Sequence, residues 1–74
     1  MIERVINILG EYTEMERDRI TEKSGLVTDL GLSSLDVINV VVAFEDEFDI
    51  EIPDQKIKEL VTVGDIVEYL EKNI

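Results

Sequence analysis

The chain contains no cysteine and no histidine, a single proline, and seven lysines and arginines against eighteen aspartates and glutamates. Each shortage excludes a class of chemistry. Without Cys and His there is no disulfide, no thiolate nucleophile, no imidazole base, no zinc site of the usual kind and no group switching charge near neutral pH. Any metal would need oxygen ligands. The deficit of cations leaves a formal charge of −11. That charge repels phosphate backbones and anionic bilayers, so nucleic acid and membrane are excluded as partners and basic protein surfaces are favoured. No apolar run approaches the roughly 18 residues that span a bilayer, and the opening Met1-Ile-Glu-Arg-Val5 has no basic stretch leading into an apolar one. A cytoplasmic location is expected.

What the chain does have is apolar content: 45% of its 74 residues, too much for an acidic disordered tail. A chain this short buries only about 60% of the surface its unfolded form exposes, so nearly all its apolar residues must serve one core. No linker, repeat or low-complexity segment divides it. Residues 1–74 are therefore expected to form one domain, with no room for a separate catalytic one.

Ile2, Val5, Ile6 and Leu9 fall at i, i+3, i+4 and i+7 and predict an amphipathic helix that ends within Gly10 to Thr13. From Glu14 to Ser33 no periodicity holds. This stretch is expected to be a packed loop anchored by Ile20, Leu26, Val27, Leu30 and Leu32. Ser33 can cap a second helix from Ser34 to Phe48, with Asp36 in its first turn near the positive end of the helix dipole. Val37, Val40, Val41, Phe44 and Phe48 give this helix a complete core stripe, yet Leu35, Ile38 and Val42 form a second apolar row. That row either faces a partner or is covered within the bundle. Pro53 opens a short helical segment bearing Ile57 and Leu60, and Thr62 to Asp65 repeats the start signal before a last helix with Val63, Ile66, Val67 and Leu70 on one face. Residues 40–42, 50–52 and 60–63 are β-prone, but strands there would be isolated and too few for a sheet. The expected fold is all-α, with three longer helices and a short third one.

Between residues 24 and 55 lie eight carboxylates and no Lys or Arg. Such a single-sign field either steers basic partners or is a solvated helix end. Calcium in an EF-hand loop is excluded: a loop starting at Asp46 places Phe48 and Ile50 at ligand positions, and one starting at Asp49 places Pro53 and Leu60 there. Paired-carboxylate catalysis requires an enclosed pocket that so small a bundle offers little of. No catalytic residue and no metal ligand is assigned. The remaining handle is the hydroxyl of Ser34, at a helix N-terminus whose amides can hold a phosphate. It can carry a phosphodiester or be an ordinary start of a helix. With no His to act as base, it is not an enzymatic nucleophile.

Asp29-Leu-Gly-Leu-Ser-Ser34-Leu-Asp36, then Phe44-Glu-Asp-Glu-Phe48-Asp-Ile-Glu-Ile-Pro53-Asp, then Val61-Thr-Val-Gly64-Asp65, in this order and spacing, resemble the acyl carrier proteins of type II fatty acid synthesis. The likeness covers nearly the whole chain. It implies a four-helix bundle in which Ser34 carries 4′-phosphopantetheine, delivered from coenzyme A by a phosphopantetheinyl transferase. The arm's thiol would bear acyl groups as thioesters, which supplies the sulfur the chain lacks. It further implies a monomer whose second helix meets basic docking patches of acyl transferases, ketosynthases, reductases and dehydratases. On that basis Leu35, Ile38 and Val42, rimmed by Asp36, Glu45 and Asp46, are expected to dock partners, and Val37, Val41 and Phe44 to shelter the acyl chain.

Two positions depart from the family's pattern. Its usual Asp-Ser-Leu is Ser33-Ser34-Leu35 here, and where many carriers place another acid on the second helix this chain has Asn39. A carrier for polyketide, nonribosomal peptide or specialised lipid synthesis is therefore an alternative within the class. Outside it stands an acidic docking module without a cofactor.

Overall fold

Val5 and Leu9, one helical turn apart, are completely buried in the computed structural model, which describes residues 1–74. They are the inward stripe of α1 (Ile2–Leu9), whose Glu3 and Arg4 face outward. Three more helices follow: α2 (Ser34–Phe48), α3 (Asp54–Ile57) and α4 (Val63–Asn73). Fifteen buried apolar residues form one continuous cluster between them and the long first loop. The architecture is the expected four-helix, all-α one, with α3 the short member.

The starts of α2 and α4 are specified by the same local device. Ser33 Oγ accepts the Asp36 N–H at 3.1 Å while the Asp36 carboxylate accepts the Ser33 N–H at 3.1 Å. Thr62 and Asp65 repeat this exchange at 3.2 and 3.0 Å. Each capping box satisfies two amide groups that the helix itself leaves orphaned. Asp65 also accepts the Val61 N–H at 3.0 Å. Its carboxyl is consequently held below the ordinary value of 3.8, the backbone N–H of Thr62 being the leading cause. At the other end of α2, Asp49 stands at φ 53°, ψ 51°, in the left-handed region. The N–H groups of Asp49 and Ile50 there both bond to the Glu45 carbonyl. This closes the helix with a left-handed residue that costs a non-glycine side chain energy.

Along α2, Val40, Val41 and Phe44 are buried, and Val37 and Phe48 pack partly against the cluster. The second apolar row is not covered by the bundle: Leu35 is 67% exposed, Ile38 49% and Val42 47%. Arg4 of α1 reaches across to the C-terminal end of α2, its Nη2 2.6 Å from Glu47 Oε2 and its guanidinium 4.5 Å above the Phe48 ring. The acidic segment thus borrows a cation from a distant part of the sequence.

The long loop is packed through Ile20, Leu26, Leu30 and Leu32, all buried. Val27, expected among its anchors, is instead 60% exposed, because its neighbour Leu26 takes the inward position. The loop also holds a short 3₁₀ turn at Arg17–Arg19, which no periodicity announced. The β preference of residues 60–63 is used after all, in one antiparallel bridge between Gly25 and Thr62. Leu26 N–H bonds to Val61 O at 2.9 Å and Val63 N–H to Ser24 O at 3.0 Å. Next to it Gly64 N–H meets Glu22 O at 2.8 Å, and a Cβ on Gly64 would lie 3.1 Å from that oxygen. The close approach of two backbones therefore suits glycine there.

Candidate functional site at the start of α2

Ser33 and Ser34 are adjacent and both exposed, but they do different things. The Ser33 hydroxyl is committed to the cap of α2, whereas that of Ser34 takes no part in it. Ser34 opens the 15-residue α2, where unpaired amide groups and the positive end of the helix dipole favour an attached anion.

Beside Ser34 lies an apolar cavity of about 610 Å³, open on one side. Ser34, Val37 and Ile38 of α2 form one wall, and Asp54, Ile57 and Lys58 on and just after α3 form the opposite one. Leu26, Val27 and Thr28 of the long loop, with Leu60 and Val61, complete it. The bridge from Leu26 to Val61 holds these last two segments together. Seven of the eleven lining residues are hydrophobic, so the cavity suits an alkyl chain better than a polar ligand.

Of the residues expected to shelter a chain, Val37 lines this cavity and Val41 and Phe44 do not. Both belong to the packed core, 3% and 1% exposed. At 1.5 Å per residue they lie about 10 and 15 Å along the helix from Ser34, past the turns that border the cavity. Ile38, expected to dock partners, is a lining residue as well as an exposed one. Leu35 and Val42 are exposed on α2 outside the cavity.

The three acids of the expected rim differ in freedom. Asp36 is tied into the cap through the Ser33 N–H. Glu45 is half-buried and accepts the Ile52 N–H at 2.8 Å, across the turn that leaves α2. Asp46 is exposed. Sequence reasoning did not single out Thr28, Asp54, Ile57, Lys58, Leu60 and Val61 as site residues. Thr28, Leu60 and Val61 are brought there by the bridge that folds residues 24–28 against 61–63, which leaves no side-chain pattern to read, and Asp54, Ile57 and Lys58 by the placing of α3 across from α2.

Residues 3–70 match the family described as the phosphopantetheine attachment site. The chain is 42% identical over 74 residues to an acyl carrier protein of Phenylobacterium zucineum, a match covering all of this chain and 94% of that protein. The fold is similar to that of the acyl carrier protein from Enterococcus faecalis, with a TM-score of 0.86 at 32% identity, over 99% of this chain and 92% of that one. The matched family is one of small carriers that are modified and serve other enzymes, not of enzymes themselves. The chain belongs to the phosphopantetheine-attachment family, among the acyl carrier proteins.

Its cofactor is accordingly covalently attached 4′-phosphopantetheine. Family members receive it from a phosphopantetheinyl transferase and serve acyl-processing enzymes. The residues at the start of α2 fit such a group: an exposed hydroxyl outside the cap, amides that favour a phosphodiester, and an apolar recess beside them. No helix is long and apolar enough to cross a membrane.

Proposed function

We propose that Ser34 is the attachment serine and that residues 1–74 act as one carrier domain presenting acyl intermediates to the enzymes of fatty acid synthesis. The observation that carries this is the division of labour between the two serines: Ser33 Oγ is occupied by the Asp36 N–H, leaving Ser34 as the hydroxyl available to a transferase. The bound arm supplies a terminal thiol that holds the acyl group as a thioester. The chain's own part is to position and shelter. The cap fixes the backbone from which Ser34 projects, and Val37, Ile38, Ile57 and Val61 offer an apolar surface that keeps a chain out of water.

Partner enzymes with basic patches are drawn to Asp46 and to the outward oxygens of Asp36 and Glu45, with Leu35 and Val42 as the apolar contacts. Such docking is transient and salt-sensitive. The carrier works in the cytoplasm as a monomer, since a charge of −11 opposes self-association. Ser33, where the family's usual residue is aspartate, favours a second reading in which the partners belong to a specialised acyl pathway.

The test is an intact mass before and after incubation with coenzyme A and a promiscuous phosphopantetheinyl transferase, with Ser34→Ala and Ser33→Ala alongside. The expected result is a gain of one phosphopantetheinyl unit in the wild type and in Ser33→Ala, and none in Ser34→Ala. Labelling that is lost in Ser33→Ala and retained in Ser34→Ala would overturn the assignment.

A further inference from the structure

Lys58 is the one cation among the residues lining the cavity beside Ser34. It has no carboxylate partner at ion-pair distance, whereas Lys56, two residues before it, pairs with Glu59 at 3.6 Å; Arg17, Arg19 and Lys23 are also unpaired but lie away from the cavity. Asp54, one turn earlier, lines the same cavity yet forms no ion pair with Lys58. In a chain with eighteen carboxylates and seven bases, an unpaired lysine next to an apolar recess is left available for an anion from outside the fold. A plain alkyl chain would leave it without a counter-charge. An anionic oxygen at the edge of a low-dielectric recess interacts with it more strongly than one in bulk water.

Resting on the reading of Ser34 as the attachment point, we infer that Lys58 receives an anionic oxygen of the group carried there. Two sources share this chemistry: the phosphodiester at the root of the arm, and a carboxylate at the far end of a dicarboxylic acyl cargo. Lys58 is then a positioning residue. It holds the root of the arm against α3 in the first case, and makes the cavity discriminate between diacid and monoacid cargo of equal length in the second.

The experiment follows the ammonium and ε-methylene NMR signals of Lys58 at one fixed, near-neutral pH, where acyl thioesters survive, in the full-length chain, assigned with Lys58→Gln. Four states are compared: apo, holo, hexanoyl-loaded and adipoyl-loaded, each checked by intact mass. An anionic oxygen in contact with the ammonium should displace the Lys58 signals, while those of Lys56 and Lys72 stay where they are. A displacement at the apo-to-holo step assigns the phosphodiester. A displacement confined to the adipoyl state, absent in the hexanoyl one, assigns the cargo carboxylate. Unmoved Lys58 signals in all four states, with the expected masses, overturn the inference and leave the carrier reading intact. A chain that gains no mass overturns the attachment on Ser34 and this inference with it.

Discussion

The carboxylate of Glu45 accepts the backbone N–H of Ile52 at 2.8 Å, and Ile52 is buried. An acid on the outer surface of α2 therefore also ties down the turn that carries the chain from α2 to α3. Glu45→Ala should leave that amide without a partner and destabilise the fold by about 1 to 3 kcal/mol. Glu45→Gln keeps an acceptor and should cost much less, while removing the charge a partner would meet. Urea denaturation of the two variants separates these roles. Equal midpoints would show that the bond to Ile52 contributes nothing to stability.

Asp49 combines two unfavourable features, a left-handed backbone at φ 53° and a negative charge at the negative end of the α2 dipole. Asp49→Gly removes both and should stabilise the protein by about 1 kcal/mol. The melting temperature should rise accordingly by about 4 to 8 °C. A lower melting temperature would mean that the freedom glycine gains in the unfolded chain outweighs the relief of strain.

The cap on α2 depends on the Ser33 hydroxyl. Ser33→Ala should cost about 1 kcal/mol, whereas Ser33→Asp supplies another good capping oxygen and should be close to neutral. Chemical denaturation checks the order of the three proteins, and transferase labelling of each checks that Ser34 stays accessible whichever residue precedes it.

Asp65 gives the fold an acid-sensitive clamp. Its folded pKa lies below the ordinary 3.8, so its contribution is present above that value and is lost as the pH falls through the folded one. Melting curves of the wild type and Asp65→Asn from pH 7 down to pH 2 should show a gap in favour of the wild type at neutral pH that closes below about pH 4. A gap independent of pH would assign the effect to packing, not to the charged hydrogen bonds.

Self-repulsion should be visible as a salt effect. Raising ionic strength from about 0.01 M to 1 M shortens the screening length from about 30 to 3 Å. Relief of repulsion in a chain of charge −11 should lift the melting temperature by at least about 4 °C, the shift that 1 kcal/mol produces in a domain of this size. The exposed pair of Arg4 and Glu47 opposes this trend only weakly. A melting temperature that does not move with salt would count against a repulsive charge distribution.

What could be read from the sequence was what depends on near neighbours. Ser33 with Asp36 and Thr62 with Asp65 are three residues apart, so the chain itself brings the partners together, and both helix starts are where that spacing puts them. The stripe of Val40, Val41 and Phe44 follows in the same way from helical periodicity. Features that need distant segments to meet were not legible. Arg4 and Glu47 are 43 positions apart. The cavity exists because residues 24–28 fold back on 61–63 through backbone hydrogen bonds that any side chains but proline would permit. Hence Val37 was placed as a sheltering residue only through the family resemblance, and Ile57, Lys58 and Val61 were not placed at the site at all. Periodicity also placed Val41 and Phe44 on the inward side of α2 without saying which part of the interior, core or recess, each would meet.

The anchoring of α3 at both ends bears on how carriers of this kind diversify. The Glu45 carboxylate holds the chain before it at Ile52, and the bridge from Leu26 holds the chain after it at Val61. Between these points α3 spans only Asp54–Ile57, has no side-chain cap and contributes no fully buried residue. Changes at Asp54 or Lys58 would alter the wall of the recess without touching the fifteen buried core residues, whereas Ile57 packs against them. Substitutions at Asp54 and Lys58 can therefore alter the polarity of the recess with little cost to the fold. On the proposed reading of Ser34 and the recess, the short helix would set cargo preference independently of the helix start that a transferase meets.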